Sequence, residues 1–363
     1  MSRRPAGALA GIAIVFLLTA PGGAAAGRPV PAGVLEAPRP AAPTHDVVRG
    51  VPGAAAARIS ATASSQRYPV GDGGEATIEV SVTAACEELC TAVEPQRIAS
   101  FVGTLPHGFE IGLLEVQLDT PFQLELDCGY GAEACYYSGE DRIVLSGNEE
   151  TDRDGATRDF VLAHEYGHHV AQHRELPSPF ASAIDWGTER WASVEGVCQG
   201  KRHGKLFPGD EGDHYYEDPG EAFAETFAHL RFPEMAVRWR YLRALRPTAA
   251  SLRAVEEDTL SPWQGRTGLV LSGRVPARGE GAAVESIPTP LDGTVTLRPI
   301  GLHWRGYELA LRSRAGRLLR SFRSRSASPR QMDFTICGQS RLRLELRSRS
   351  NRPTPFKLQI QRP

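Results

Sequence analysis

Beyond Ala20 this 363-residue chain has no long apolar run, which excludes a protein threaded repeatedly through a bilayer. It also lacks an excess of charge of either sign. A formal net charge of -2 gives no global pull toward nucleic acid, and none is expected as a partner. There is no Cys-x-x-Cys pair, which argues against cysteine-bound zinc. Large apolar residues are scarce between Gly27 and about Ser60, where Ala, Pro, Gly and Val dominate, and a segment of that composition cannot build a core.

The amino-terminal residues read as a secretory signal. Arg3 and Arg4 precede an apolar run from about Ala6 to Ala20, and Ala24-Ala25-Ala26 makes a small-residue cleavage site. The run is short for a bilayer span, and no cysteine near the cleavage site can take a lipid, so no stable membrane anchor is expected. The expected location is extracellular or periplasmic. All six cysteines lie in the exported part, where disulfides persist. Spacing suggests Cys86 with Cys90, Cys128 with Cys135 and Cys198 with Cys337, although six cysteines allow many connectivities.

The expected organisation is a signal peptide over 1–26, a Pro/Ala-rich linker or pro-segment over 27–72, a mixed α+β domain over 73–260, a linker over 261–289 and a small all-β sandwich over 290–363. Arg142 to Ser146 reads as a strand and Ala156 to Gln172 as a strongly apolar helix. Asp218-Pro219-Gly220-Glu221 opens a second helix running to about Leu230: a capping side chain, proline at the first helical position, then an acid in the first turn. Pro233 to Leu245 and Ala249 to Glu257 look helical as well. The last region alternates apolar and polar residues over short runs such as Leu342 to Leu346. It carries about sixteen basic against four acidic side chains, an excess that can attract an anionic surface, although arginine on solvated strand faces accounts for it more simply.

The chemistry is concentrated in His164-Glu165-Tyr166-Gly167-His168. Residues four apart lie one above the other on a helix, so His164 and His168 can present two imidazole nitrogens to one ion. Glu165, one step round, can act as general base on a water beside that ion without being a ligand. A third protein ligand is needed. Glu221-Ala222-Phe223-Ala224-Glu225 offers two carboxylates four apart, with Glu221 assigned as ligand and Glu225 as the group that orients a coordinating histidine. Tyr215, Tyr216 and His214 precede this helix, and Tyr216 is chosen among them as the donor to the oxyanion that carbonyl attack creates. The bland alternatives are a capping box between Asp218 and Glu221, with Glu225 on a solvated face.

These two segments together resemble the gluzincin class of zinc metallopeptidases, the second being similar to that of anthrax lethal factor. The resemblance covers about a third of the chain. It implies a zincin-like catalytic domain, one Zn2+ per chain held by His164, His168 and Glu221, Glu165 as general base, and a peptide or protein substrate. It also implies that the strand Arg142 to Ser146 edges the cleft and accepts an extended peptide. The metzincin pattern is not met, because Ala171 and Arg174 stand where Gly and His are needed and His173 is out of register. The downstream region, with Tyr307 to Leu311 and Phe356 to Ile360, resembles the pre-peptidase C-terminal domains of secreted bacterial peptidases.

A rival reading makes the chain a secreted binding protein whose zinc site is structural or inactive and whose basic sandwich engages an anionic surface. A fourth protein ligand, from His173, His203 or His214, would favour it.

Overall fold

A computed structural model of the chain describes residues 47–48, 62–70, 76–91, 94–148, 156–300, 306–323, 331–338 and 340–363. The proposed signal and most of the Pro/Ala-rich segment lie outside the described residues.

The first core is built on a six-stranded sheet. Its strands are β1 (Val47–Val48), β2 (Thr62–Val70), β3 (Ala76–Thr83), β4 (Glu115–Asp119), β5 (Ala134–Tyr137) and β6 (Arg142–Ser146), in the order β1-β5-β6-β4-β3-β2. β3, β4 and β6 run parallel, whereas β5 is antiparallel to β6 and β2 is antiparallel to β3. Helices α1 (Ala84–Leu89), α2 (Pro95–Val102) and α3 (Pro121–Cys128) connect the strands. Then come α4 (Arg158–Gln172), α5 (Ala183–Trp186), α6 (Glu189–Glu195), α7 (Val197–Arg202), α8 (Pro219–Ala228) and α9 (Ala249–Leu260). Ile78, Val80, Val116, Leu118, Ile143 and Leu145 project from the sheet into a core completed by Leu162, Tyr166, Val170, Phe223 and Phe227 of α4 and α8.

Eight further strands make two four-stranded antiparallel sheets. β7 (Thr267–Val275), β9 (Gly293–Pro299), β12 (Met332–Ile336) and β14 (Thr354–Arg362) are ordered β12-β9-β14-β7. β8 (Ala283–Pro288), β10 (Tyr307–Ser313), β11 (Leu318–Arg323) and β13 (Arg341–Ser348) are ordered β11-β10-β13-β8. A separate apolar core lies between them, formed by Val295, Leu297, Leu309, Leu311, Leu344, Leu358 and their neighbours. The architecture is therefore α+β with a carboxy-terminal β-sandwich, and Cys198 on α7 is bridged to Cys337 beyond β12. Cys86–Cys90 and Cys128–Cys135 are also bonded. Among the described residues no helix is long and apolar enough to cross a membrane.

Several expectations need correction. The stretch 261–289 is not a linker: it supplies β7 and β8, whose half-buried Leu269 and Leu271 are flanked by the glycines and prolines that mark its turns. The segment 27–72 likewise ends in β2, an edge strand exposed along most of its length, so no apolar pattern announces it and its ladder to β3 holds it. Residues 233–245 form two short 3-10 turns, Pro233–Arg238 and Arg243–Leu245, rather than one helix. Finally, Arg142–Ser146 is not at the sheet edge. It bonds to β4 on one side and β5 on the other, leaving no free ladder for a peptide. β5 is the outer neighbour, itself paired along two residues with β1.

Candidate metal centre

Thr157 caps α4, its hydroxyl accepting from the Phe160 N–H at 3.2 Å. From there the helix is buried almost all round, which the apolar run Phe160 to Ala163 dictates and which carries His164, Glu165 and His168 into the interior. Asp218 caps α8 in the same way, accepting from the Gly220 N–H at 2.7 Å, with Pro219 in the first turn. Phe223 and Phe227 bury α8 against α4.

The closeness of these two helices depends on Gly167. A Cβ placed there would lie 2.8 Å from the Ala224 Cα, closer than real Cβ atoms come, and 3.1 Å from the Phe227 Cβ, tighter than most real contacts. The variable position of the motif thus holds the one residue that lets α8 approach.

What the approach achieves is convergence. The Glu221 side chain on α8 lies 3.5 Å from His164 Nε2 through Oε2, and 3.5 Å from His168 Nε2 through Oε1. These separations are long for hydrogen bonds. Two donor atoms bound about 2.0 to 2.1 Å from one tetrahedral ion stand about 3.3 Å apart, so the three side chains fit the corners of a coordination shell. His168 is fully buried, Glu221 is 1% exposed, and Glu221 Oε2 receives no hydrogen bond. A buried carboxylate oxygen without a donor is costly unless a cation completes it. The group is a candidate metal site.

Glu225, one turn beyond Glu221, accepts from His164 Nδ1 at 3.2 Å. That bond assigns the proton to Nδ1 and turns the Nε2 lone pair toward Glu221 and His168. Both acids on α8 therefore face the α4 histidines, and the Glu225 side chain, 12% exposed, is not on a solvated face.

The electrostatics follow from the burial. Desolvation acts to raise the Glu221 carboxyl, but the imidazoles of His168 and His164 outweigh it and hold the group well below the usual carboxylate range. His164 mirrors this: burial disfavours its cation, yet Glu221, Glu225 and Glu165 raise it well above the ordinary imidazole value. A metal ion bound here would take the place of that proton. Asp218 is pushed up to about 9, first by its own burial and then by Glu221.

Glu165 is 2% exposed on the same helix. Tyr216, in contrast, packs against the rings of Tyr215 and Tyr241, at 5.3 and 6.2 Å between centroids. None of these contacts brings it to the cluster. Of the candidate fourth ligands, His214 is stacked on Phe207 and bonded to Asp210, and His203 is exposed at the end of α7. His173 belongs to a different group, with Asp141 and His169. Among the described residues the first cluster offers three candidate ligands. The second group escaped the sequence reading, although its signal was present: His169 and His173 repeat the four-residue spacing of His164 and His168 one step round the helix.

No protein-family profile matches the chain, and no curated protein matches it. Solved structures with local likeness include three of low identity. The pre-peptidase C-terminal domain of a collagenase from Bacillus anthracis has 9% identity and a TM-score of 0.21, covering 26% of this chain and 88% of that one. The Yersinia pseudotuberculosis-derived mitogen has 12% identity and a TM-score of 0.19, covering 27% and 86%. An infectious bursal disease virus structure, Gx strain, has 10% identity and a TM-score of 0.15, covering 27% and 30%. Likeness at this level assigns no family.

Proposed function

We propose that the chain is a secreted zinc metallopeptidase of the gluzincin type, with a zincin-like catalytic part and an appended β-sandwich. One observation carries the proposal: two imidazoles from α4 and a carboxylate from α8 meet in a buried cluster at separations suited to a tetrahedral ion, with an acid on the outer nitrogen of His164. A set of two histidines and one carboxylate leaves a coordination position open, which suits catalysis better than a structural zinc closed by four protein ligands.

Zinc bound there would supply Lewis acidity, polarising a carbonyl and easing deprotonation of water. The protein's own groups do the rest. Glu165, next to His164 on α4, takes the proton from the attacking water and hands it to the leaving amine, which needs an acid able to work in both directions. Glu225 keeps His164 in the tautomer that coordinates. Burial of all three ligands removes competing water and fixes their geometry before substrate arrives. The substrate proposed is a peptide or protein.

The test is Glu165→Gln. The variant should retain about one zinc at this site while chelator-sensitive cleavage of a mixed peptide library falls by at least about a thousandfold, within the range such base removals span. Undiminished cleavage by the variant would remove Glu165 from the mechanism. Absence of any chelator-sensitive cut in the wild type would overturn the peptidase reading.

A further inference from the structure

We propose that the protein binds a second zinc-class divalent cation, distinct from the first, through Asp141, His169 and His173. The three donors come from two places that the fold brings together. Asp141 ends the turn between β5 and β6, at φ 53°, the only non-glycine residue with positive φ among those described. His169 and His173 lie one turn apart at the carboxy-terminal end of α4. Asp141 Oδ1 stands 2.8 Å from His173 Nε2 and 3.7 Å from His169 Nδ1. These two distances bracket the edge of about 3.3 Å that a tetrahedral ion requires, so an ion fits with side-chain movements of a few tenths of an ångström.

The hydrogen bonds fix the tautomer of His169. His169 Nε2 is 2.8 Å from the Glu110 carbonyl oxygen, which can only accept, so that nitrogen carries the ring proton. His169 Nδ1 then offers its lone pair on the side of Asp141. The donor beside it is the Tyr136 hydroxyl, 3.1 Å away, and that hydroxyl is also 2.9 Å from Asp141 Oδ1. Without an ion, the phenolic proton can go to His169 Nδ1 while His173 Nε2 donates to Asp141 Oδ1 at 2.8 Å. A bound cation would displace the His173 proton, and the bond from His169 to a backbone carbonyl is the outer partner that metal-bound histidines have.

The environment completes the argument. His169 is fully buried, whereas the side chains of His173 and Asp141 keep 17% and 28% of their exposure. The ligand set is anchored on its inner side and open to solvent on the other, which gives an ion an entry path. Two imidazoles and one carboxylate favour zinc and its neighbours over calcium or magnesium, which prefer all-oxygen shells. The ion would fasten the end of α4 to the β5–β6 turn.

The experiment uses the full chain, stripped with chelator and dialysed to equilibrium against micromolar free Zn2+, with metal counted per chain. The wild type should hold two zinc ions, His164→Ala one, His173→Ala one, and the double variant none. Retention of the wild-type count by His173→Ala would overturn the second site, whatever happens at the first. The His164→Ala background isolates it further: Zn2+ should raise Tm there, and should not once His173→Ala is added. Asp141→Asn, which keeps the shape of the turn, should weaken the remaining zinc in that background by at least about tenfold. Unchanged affinity in Asp141→Asn would count equally against the proposal. Loss of peptide cleavage with both ions still bound would instead tell against the peptidase reading alone.

Discussion

Replacing Gly167 by alanine is the sharpest test of the two-helix site, because simple rules predict opposite signs for its effect. In a helix whose surface is free, glycine to alanine stabilises by about 1 kcal/mol through lost backbone entropy. At Gly167 the new methyl group would sit 2.8 Å from the Ala224 Cα, 3.1 Å from the Phe227 Cβ and 3.2 Å from the Ala224 carbonyl oxygen. Carbon atoms rest comfortably at about 3.5 to 4.0 Å, so α4 and α8 must part by roughly 1 Å. Overpacking of that kind costs about 1 to 3 kcal/mol, which outweighs the propensity gain or cancels it at best. The same shift carries Glu221 away from His164 and His168. Metal ligands tolerate displacements of only about 0.2 Å, so zinc affinity should fall by at least about tenfold. Thermal denaturation of the apoprotein reads the first effect and titration against a chromophoric chelator reads the second. A variant with raised Tm and undiminished affinity would refute the close approach of the helices and the site built on it.

Glu221→Ala should lose much more zinc affinity than Glu225→Ala, because the first removes a ligand and the second only frees the His164 ring; chelator competition ranks them, and the reverse order would exchange their roles. Asp292, which accepts from the Gly338 N–H beside the Cys198–Cys337 bridge, is pushed up to about 6 by burial, from an ordinary value of 3.8. Its protonated form favours the fold below pH 4, and that contribution is lost as pH rises through 6. Asp292→Asn should therefore gain stability over the wild type between pH 4 and 7, by up to about 3 kcal/mol; parallel plots of Tm against pH would rule this out.

Much of the candidate site was legible in the sequence because it depends on helical spacing. His164, His168, Glu221 and Glu225 each lie four residues from a partner, and the caps Thr157 and Asp218 mark where those helices begin. No such spacing singles out Tyr216, whose ring belongs to an aromatic cluster with Tyr215 and Tyr241. The Asp141 cluster depends on a turn meeting a helix, a tertiary event that no local pattern encodes, although the His169 and His173 half of it repeats a visible spacing. The place of Arg142–Ser146 in the sheet was hidden for a similar reason. β5 is only four residues long and fully buried, so it shows no alternation, yet its pairing moves β6 from the edge to the interior. In the sandwich, alternation made β10 and β13 plain, while the turns crowded around β7 and β8 disguised them as a linker.

The bond between Cys198 and Cys337 closes a covalent ring of the intervening chain. Glu221 lies on that ring, while His164 and His168 lie on the tail that leads into it. A cut at the exposed Arg278-Gly279-Glu280-Gly281 turn opens the ring but leaves every ligand on one covalent molecule, invisible on a gel until a reductant is added. A cut between His173 and Cys198 does the opposite. It strands the two histidines on a fragment that only non-covalent packing keeps beside Glu221, since the other two disulfides both close within that fragment. The ring thus divides the surface into places where a nick is harmless and places where it dismantles the centre.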